Sequence, residues 1–306
     1  MPAAGYEFEQ LSVSGLDRHN PLRAARALAQ SVRALRRSRE LLRSAGIDAV
    51  LGGGGYVAAP VALAAWTRRI PIVLTEADSH LGLANRALAP LARRVCLAFP
   101  IAGRSGKRYR VTGRPVSPPT AQRDGARAAF GIEPQEQLVL VFGGSLGSRT
   151  INTAALEGLA GASFRVLHVC GARDWPALRE RPRGPGYDLR EYLERSSFAQ
   201  ALAASDLVVA RAGGSIFEIA AYGRPAILVP FPAATGDHQS TNAAWMERAG
   251  AAVLITDADC SGPRLAAEVG RLIGDRARLD AMARASRELA RPEAAAEVAA
   301  IVLAAA

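Results

Sequence analysis

The amino-acid sequence predicts an α/β fold of the doubly wound type, built from two halves that each contain a parallel sheet. Short apolar runs alternate along the chain with longer Ala/Leu/Arg stretches of helical period. Apolar runs separated by about 10–15 helical residues are typical of parallel strands joined by crossover helices. The predicted strands lie at residues 48–53, 70–75, 94–99, 138–143, 164–169, 206–211, 225–231 and 251–256.

A break in this alternation divides the chain. Residues 113–127, GRPVSPPTAQRDGAR, contain three prolines and a polar patch, and a fresh pattern of helix and strand begins after them. We therefore expect two Rossmann-like domains, at 1–117 and 118–292, and a C-terminal helix at 293–306 that could pack on either one. The opening residues, MPAAGYEFEQLSV, are typical of a helix end, a glycine stop and a strand.

The composition limits the class of protein. The 306 residues are 49% hydrophobic and 22% charged, which is enough apolar residue for two buried cores. Three cysteines without CxxC or CxxH spacing argue against a disulfide framework or a zinc site and favour the reducing cytosol. No apolar run is long enough to be a membrane span.

The formal net charge of +10 indicates an anionic partner, such as acidic lipid headgroups or a phosphorylated substrate. A genome that favours Arg and Ala codons accounts for part of this excess. Aromatic residues are only 6% of the chain and are not interleaved with basic ones as in single-strand-binding proteins, so no nucleic-acid partner is expected.

The fourth predicted strand ends in a glycine-rich turn, LVLVFGGSLGSRTIN at 138–152. Ligands of open parallel sheets bind at the carboxyl ends of strands, and the amides and dipole at a helix N-terminus favour a phosphate there. Gly144 allows the main chain to approach a ligand closely, and Ser145 adds a hydroxyl donor. The turn indicates a phosphate site, although a tight turn without a ligand explains the pattern equally well.

A second turn of this kind, RAGGSIFE at 211–218, follows the sixth predicted strand. Gly213, Gly214 and Ser215 open a helix whose first turns carry Glu218. A carboxylate beside a phosphate loop is explained by a ribose, because it can accept hydrogen bonds from both sugar hydroxyls. Attraction to the positive helix end is the simpler alternative. Because both turns occur in the same half, we favour the ribose.

A polar cluster enters a helix at 234–247, after the seventh predicted strand. It includes His238, Gln239 and Asn242. Amide side chains both donate and accept hydrogen bonds, which suits the recognition of sugar hydroxyls. A helix cap with solvated neighbours is the alternative explanation.

Two strand ends in the first half carry further candidates. VLGGGGYVAAP at 50–60 has more glycine than a turn requires, so a large ligand is expected to approach this backbone and Tyr56. The next strand is followed by Glu76, Asp78 and His80, which are the candidates for a general base.

Taken together, these segments resemble the MurG family of glycosyltransferases. GGGGYVAAP, GLANR, VTGRPV, GGSLGSRTIN, RAGGSIFE and DHQSTNA occur in the order expected of that family, over nearly the whole chain from about residue 5. The resemblance implies a GT-B fold, with two Rossmann-like domains facing a cleft, the acceptor in the first and the UDP-sugar in the second. It implies transfer of N-acetylglucosamine from UDP-N-acetylglucosamine to the undecaprenyl-linked muramyl-pentapeptide, lipid I. The product, lipid II, serves peptidoglycan synthesis, cell shape and division at the cytoplasmic face of the membrane.

The resemblance also assigns roles to individual residues. Ser145 resembles the family's serine that contacts the donor diphosphate, and Glu218 resembles its ribose-binding glutamate. Gln239 resembles the glutamine that binds the N-acetylglucosamine hydroxyls. His238 occupies the place of a second such glutamine, and Asp78 that of a sugar-contacting asparagine.

The chain departs from the family in several places. TEAD at 75–78 replaces the family's HEQN, and RPVS at 114–117 replaces NPVR. Ser117 therefore stands where a donor-contacting arginine is expected, and Arg114 could compensate. The family's opening GGTGGH loop and its strand–helix–strand unit, upwards of about 30 residues, precede the point where this sequence starts. Either the start codon is placed too late or the unit is lost, so we expect low activity of the chain as given.

The implied reaction is an inverting hexosyl transfer that needs no cofactor, because amides at the first glycine turn can stabilise the leaving diphosphate. A divalent cation is compatible with it, but no metal ligand is assigned, and DAD at 257–259 is interpreted as a surface turn far from the site. Two alternatives stay open: a UDP-sugar 2-epimerase with the same shell, and a non-catalytic homologue that binds UDP-sugar or recruits partners to the membrane. A nicotinamide dehydrogenase is disfavoured because no GxGxxG opens the chain.

A long amphipathic helix is predicted at 16–45. Apolar residues expected to pack on the sheet recur at spacings of three, four and seven, at Leu22, Ala25, Leu28, Val32, Leu35 and Leu42. Arginines lie mostly on the other faces, at Arg23, Arg26, Arg33, Arg36, Arg37, Arg39 and Arg43. Packing does not explain so many arginines, and a polyprenyl substrate resides in a membrane. We therefore expect peripheral binding to an anionic membrane surface.

Overall fold

The computed structural model describes residues 5–13 and 21–306, with the side chains at 21–25, 28 and 235 left out. It divides into two compact units. The first comprises the described residues up to Pro115 together with Glu293–Ala306, and the second is Val116–Pro292. The sequence placed this boundary two residues later and left the C-terminal helix unassigned; the structure includes that helix in the first unit.

The described residues form parallel strands that alternate with helices. The elements are α1 (Pro21–Ser44), β1 (Val50–Gly52), α2 (Gly55–Thr67), β2 (Ile72–Glu76), α3 (Leu83–Leu88), β3 (Arg94–Leu97), β4 (Tyr109–Val111), α4 (Arg123–Ala129), β5 (Leu138–Phe142), α5 (Arg149–Leu159), β6 (Arg165–Val169), α6 (Trp175–Leu178), β7 (Tyr187–Arg190), α7 (Arg195–Ala204), β8 (Leu207–Ala210), α8 (Ile216–Ala221), β9 (Ala226–Leu228), α9 (His238–Arg248), β10 (Ala252–Leu254), α10 (Gly262–Ile273), α11 (Arg276–Leu289) and α12 (Ala294–Leu303). Short 3-10 turns lie at Ala89–Leu91 and Thr235–Asp237.

The first unit has a four-stranded sheet in the order β1-β2-β3-β4, with every pair parallel. Successive residues of a strand point to opposite faces. Ile72 and Leu74 therefore pack in the cluster that includes residues of α1 and α2. Val73 and Cys96 point to the other face, where they pack against Val298 of α12. Both faces of this sheet are thus covered by helices.

The second unit has a six-stranded parallel sheet in the order β10-β9-β8-β5-β6-β7. Residues of β5 and β8 are completely buried, as expected of central strands with helices on both faces. One face packs in a cluster with side chains of α5, α10 and α11. The three cysteines of the chain, Cys96, Cys170 and Cys260, are all free thiols buried in these cores.

The eight predicted strands are all present, but two further strands were missed. β4 and β7 are edge strands, and their sequences YRV and YDLR contain charged residues that break any apolar run. Charged side chains are common on edge strands because they discourage pairing with other chains. The strand expected near the start is wrong: residues 6–13 have no regular secondary structure, and Phe8 and Tyr6 are exposed.

The helix predicted at 16–45 corresponds to α1, with residues 16–20 outside the described part of the chain. The side chains of Leu22, Arg23, Ala25 and Leu28 also lie outside the described residues. Val32 is 42% exposed, so the prediction that it packs on the sheet is wrong. The buried face instead carries Ala27, Ala34, Ser38 and Leu42. α1 packs against α2, and its buried face includes small residues that an apolar period does not single out.

A buried ion cluster holds the amino edge of the second sheet. Asp206, which precedes β8, accepts hydrogen bonds from Arg123 Nη2 (2.7 Å), Arg127 Nη1 (3.4 Å) and the Leu138 amide (2.9 Å). The Arg127 side chain is 6% exposed and also donates to the carbonyls of Glu133 and Glu136, both at 2.6 Å. The carboxylate therefore neutralises a guanidinium that water barely reaches.

Replacing Asp206 by Ala is expected to destabilise the second unit by about 3–5 kcal/mol, because Arg127 then stays buried without a counter-charge. Asp280→Ala is the matched control, since Asp280 pairs with Arg276 on the exposed surface of α11 and should change stability by about 1 kcal/mol or less. Urea unfolding followed by circular dichroism measures both. Equal losses for the two variants would contradict the role given to the buried cluster.

Candidate functional site

The strand register of the second unit brings four strand ends level with one another. Phe142 pairs with Ala210, Ala210 with Leu228, and Leu228 with Leu254. From β5 the chain passes to β6 on one side, whereas β8 lies on the other side of β5. The boundary between β5 and β8 is therefore the topological switch point, where ligands of doubly wound sheets bind beyond the carboxyl ends. Both predicted glycine turns start there.

The turn after β5 is tightly packed on one side and open on the other. A Cβ on Gly143 would collide with Ser148, and a Cβ on Gly147 would collide with the carbonyl of Cys170. Gly144 has a φ of 95°, which favours glycine, and open space lies where its Cβ would be. The Gly147 amide donates to the Gly144 carbonyl (2.9 Å) and closes the turn. Solvent therefore has access to the backbone at Gly144.

Ser145 is exposed beside this backbone, where the sequence predicted a ligand-binding hydroxyl. Ser148 has another function that the sequence reasoning missed: its Oγ accepts from the Ile151 amide (3.4 Å) and caps α5. A serine directly before the predicted helix was the available signal. The cap satisfies the Ile151 amide, and the other amides of the first α5 turn lie at a helix N-terminus, a position that favours an anion.

A network of buried polar side chains supports the residues on which the glycine turn packs. Asn152 Nδ2 donates to the carbonyl of Cys170 and to Asp174 Oδ2, both at 2.9 Å. Its Oδ1 lies 3.0 Å from His168 Nε2, and His168 Nδ1 lies 2.7 Å from the Tyr187 hydroxyl. This network fits the tautomer with the proton on Nε2. Because Gly147 packs on the Cys170 carbonyl, the network fixes the surface on which the turn rests.

Burial, and to a smaller extent the charge of Arg183, lower the pKa of His168 to about 3. Burial also raises the pKa of the Tyr187 hydroxyl. The pair is therefore neutral at physiological pH, as a network of two neutral partners requires.

The turn after β8 lies against the residues that follow β9. Gly213, Gly214 and Ser215 are half-buried and lead into α8, which carries the half-buried Glu218. Nε2 of Gln239 lies 3.9 Å from the position of a Cβ on Gly213. The two predicted loops are thus in contact.

Two amide side chains of α9 hold this arrangement. Gln239 Oε1 accepts from the Phe231 amide (3.0 Å), which fixes the orientation of its NH₂ group. Asn242 is buried and donates from Nδ2 to the Ala212 carbonyl (3.1 Å). Within the described residues its Oδ1 has no hydrogen-bond partner. His238, the first residue of α9, is half-buried beside them.

An ion pair that the sequence reasoning missed ties these strand ends together. Arg211, directly after β8, donates to the carbonyls of Val229 (3.1 Å) and Pro230 (3.0 Å) and pairs with Asp257 at 2.6 Å. Thr150 of α5 also donates to Asp257 (3.3 Å). The interpretation of DAD at 257–259 as a surface turn far from the site is therefore wrong for its first residue. Sequence spacing could not reveal this, because the contact depends on the register of three strands.

The candidates of the first unit lie on the loop after β2. Glu76 is buried, and its carboxylate accepts from the Asp78 amide (3.2 Å), the Gly82 amide (2.8 Å) and Asn85 Nδ2 (2.9 Å). These bonds shape the loop and occupy the carboxylate. Asp78 and His80 are half-buried on the same loop.

Asn85 holds the ends of two strands of the first unit together. It is buried, donates also to the Thr75 carbonyl (2.9 Å), and its Nδ2 lies 3.2 Å from the position of a Cβ on Gly54. It thereby joins the ends of β1 and β2. Tyr56, which opens α2, is exposed, and Arg114 is half-buried near the end of the unit.

Among the residues that the structure describes, no group of three or more His, Cys, Asp or Glu side chains could hold a metal ion. No helix in the same part of the chain is both long and apolar enough to cross a membrane.

The free energy of unfolding is expected to fall as the pH is lowered from about 6.5, because the folded state keeps His168 neutral while the unfolded state binds its proton. The slope contributed by one such group is at most about 1.4 kcal/mol per pH unit. His168→Gln removes the titrating group and should flatten the dependence by that amount between pH 6 and 4. Urea unfolding at a series of pH values measures it; parallel profiles for both proteins would contradict a neutral buried imidazole.

Comparisons with known proteins agree with this geometry. The glycosyltransferase family 28 N-terminal domain matches residues 1–97, and the C-terminal domain of the same family matches residues 138–298. A UDP-N-acetylglucosamine–N-acetylmuramyl-(pentapeptide) pyrophosphoryl-undecaprenol N-acetylglucosamine transferase of Moorella thermoacetica is 40% identical over 96% of this chain and 84% of its own. A protein of the same name from Rubrobacter xylanophilus is 40% identical over 100% of this chain and 91% of its own.

Solved structures show the same fold. MurG of Acinetobacter baumannii superposes with a TM-score of 0.73 at 27% identity, covering 91% of this chain and 81% of that one. A structure described as a putative UDP-N-acetylglucosamine 2-epimerase from Listeria monocytogenes superposes with a TM-score of 0.67, covering 94% of this chain and 81% of that one. At 16% identity, this similarity shows a common fold and no more. The predicted resemblance is confirmed: the chain belongs to the MurG family of glycosyltransferases, with two parallel-sheet α/β domains of the GT-B type.

Proposed function

We propose that this chain transfers N-acetylglucosamine from UDP-N-acetylglucosamine to lipid I, giving lipid II for peptidoglycan synthesis. The observation that carries the proposal is the pair of glycine turns that start side by side at the switch point between β5 and β8. One offers an open backbone for a diphosphate, and the other leads to a carboxylate and amides suited to sugars. Relatives that bear the name of this transferase match almost the whole chain.

The donor is proposed to bind entirely within the second unit. Its diphosphate lies on the Gly144 and Ser145 backbone at the start of α5, where amides and the helix dipole offset negative charge. Glu218 accepts hydrogen bonds from the ribose. The residues proposed to line the rest of the donor site are Gly213, Gly214, Ser215, His238, Gln239 and Asn242. The buried Asn242 Oδ1 is an acceptor that a hydroxyl could satisfy.

In the proposed reaction the muramyl 4-hydroxyl attacks the anomeric carbon with inversion, and the bond to the diphosphate breaks. The hydroxyl proton passes to a general base, for which Asp78 and His80 are better suited than the hydrogen-bonded Glu76. Amides at the glycine turn stabilise the departing diphosphate. This scheme requires no resident cofactor, and a divalent cation that accompanies the diphosphate is compatible with it.

The products formed from UDP-N-acetylglucosamine test the function. Turnover is expected only when lipid I is present, with lipid II and UDP as products, and adding EDTA shows whether a divalent cation takes part. A 2-epimerase would instead convert the nucleotide sugar without any lipid. Epimer formation in the absence of lipid I would therefore contradict the proposal.

Glu218→Ala is expected to weaken UDP binding by about 1.5–3 kcal/mol, the range for hydrogen bonds to a charged group. Gln239→Ala is the matched comparison: it should keep UDP affinity but lose the preference for UDP-N-acetylglucosamine over UDP-N-acetylgalactosamine, because the hydroxyl contact is removed. Titration calorimetry measures both variants. Unchanged UDP affinity in Glu218→Ala would place the ribose elsewhere.

We also propose that the first unit contacts an anionic membrane surface through α1 and α2. Tyr56, Val57, Leu63 and Trp66 form an exposed apolar face on α2. Exposed arginines of α1 lie beside this helix, since Arg39 donates to Thr67 Oγ1 (3.0 Å). Aromatic and apolar side chains flanked by arginines suit a peripheral contact at the level of the headgroups. Such a site would place the protein at the cytoplasmic face of the membrane.

Vesicle co-sedimentation should show binding that is stronger on anionic than on neutral lipid and weaker in high salt. The triple change of Arg33, Arg36 and Arg37 to Glu should abolish the preference, because each arginine contributes about 1 kcal/mol near an acidic surface. Charge reversal of the exposed Arg278, Arg284 and Arg291, in and directly after α11, is the control. The proposal would be contradicted if the bound fraction were the same on anionic and neutral lipid and were unchanged in the α1 variant.

A further inference from the structure

Arg195, the first residue of α7, is an exposed arginine that the sequence reasoning did not single out. Its Nε donates to Oγ of Ser117 (3.1 Å), and its Nη2 contacts the same oxygen. A guanidinium has five N–H donors in a fixed plane, and a hydroxyl oxygen uses only part of them. The contact therefore orients the group and leaves N–H donors available to a ligand.

Packing of α7 on β5 places Arg195 at the edge of the sheet that carries the first glycine turn. A crossover helix runs antiparallel to the strands it joins, so α7 begins at their carboxyl edge. Phe198, one turn into α7, contacts Phe142 edge-to-face with 5.0 Å between ring centroids. Phe142 is the last residue of β5 and directly precedes Gly143. Arg195 shares a helix face with Phe198 and lies about 4.5 Å further along the axis, towards the level of the turn.

Other arginines near this edge are already paired with aspartates. The pairs are Arg149–Asp174 (3.9 Å), Arg173–Asp174 (3.1 Å), Arg190–Asp188 (2.8 Å) and Arg211–Asp257 (2.6 Å). Within the described residues, no carboxylate forms an ion pair with Arg195, whose hydrogen-bond partner is the neutral Ser117 hydroxyl. No carboxylate of the described chain therefore offsets the positive charge of Arg195, which lies at the sheet edge that carries the open glycine turn.

We propose that Arg195 binds the diphosphate of the donor, with Ser117 as the positioning residue that holds its guanidinium. The inference rests on the proposed function, which puts the diphosphate at Gly144 and Ser145. When the acceptor oxygen bonds to the anomeric carbon, the electron pair of the broken bond stays on the β-phosphate oxygen. The guanidinium stabilises that added charge through charge-assisted hydrogen bonds, while the hydroxyl proton passes to the general base.

Calorimetric titrations with UDP and with uridine test the assignment. Arg195→Ala should raise the dissociation constant for UDP about ten- to a hundred-fold and leave the affinity for uridine unchanged, because only UDP carries the diphosphate. Arg195→Lys should recover part of the loss by restoring the charge without the planar fork. Ser117→Ala should weaken UDP binding less than Arg195→Ala does.

Arg284→Ala, an exposed arginine of α11, is the matched control and should bind UDP as the wild type does. An Arg195→Ala protein that melts normally but binds UDP within two-fold of the wild type would overturn the assignment. So would an equal loss of UDP and uridine, which would indicate a structural role. A wild-type chain that does not bind UDP would remove the proposed function and this inference with it.

Discussion

The parallel register of the second sheet is the constraint on which the rest of the structure depends. Because Phe142, Ala210, Leu228 and Leu254 are level, the loops that follow β5, β8, β9 and β10 all emerge at one edge. Their backbone groups have left the ladder and need other partners. Arg211 is one such partner. It donates to the two carbonyls that follow β9 and forms an ion pair with Asp257, which follows β10. A shift of one residue in any strand would separate these groups.

Buried polar groups fix both edges of this sheet, at a cost that apolar packing would avoid. At the amino edge, Asp206 holds Arg127 and the first amide of β5. At the carboxyl edge, Asn152 connects His168 to the carbonyl under the glycine turn. A hydrophobic replacement would fill the same volume without specifying where the turn sits. These networks therefore fix the position of the glycine turn more than they add to stability. A site made of backbone amides requires such fixed positions.

The sequence predicted the fold class, eight of the ten strands in the described residues and the two glycine turns, because apolar runs and glycines are local signals. It could not predict features set by tertiary contacts. The edge strands β4 and β7 have no apolar run, and residues 6–13, where a strand was expected, have no regular secondary structure. Val32 fits the helical period but is exposed, whereas Ala27 and Ala34 lie on the buried face of α1. Glu76 has the chemistry of a base, yet three donors that come together only on folding occupy it. The importance of Arg211, Asn85 and Arg195 likewise depends on which elements become neighbours.

Each unit contains at least one buried cysteine whose reaction with a thiol reagent can report local opening of that unit. Burial raises the pKa of Cys96, Cys170 and Cys260 to about 11 each, so the reactive thiolate is scarce at neutral pH as well as shielded. Modification by a bulky thiol reagent therefore has to wait for local opening. Cys96 lies between the first sheet and α12, so its labelling rate measures how often the C-terminal helix detaches. The labelling rates of Cys170 and Cys260 measure how often the core of the second unit opens. Thiol labelling of the native chain can therefore measure the rate of local opening in each unit without introducing a new cysteine.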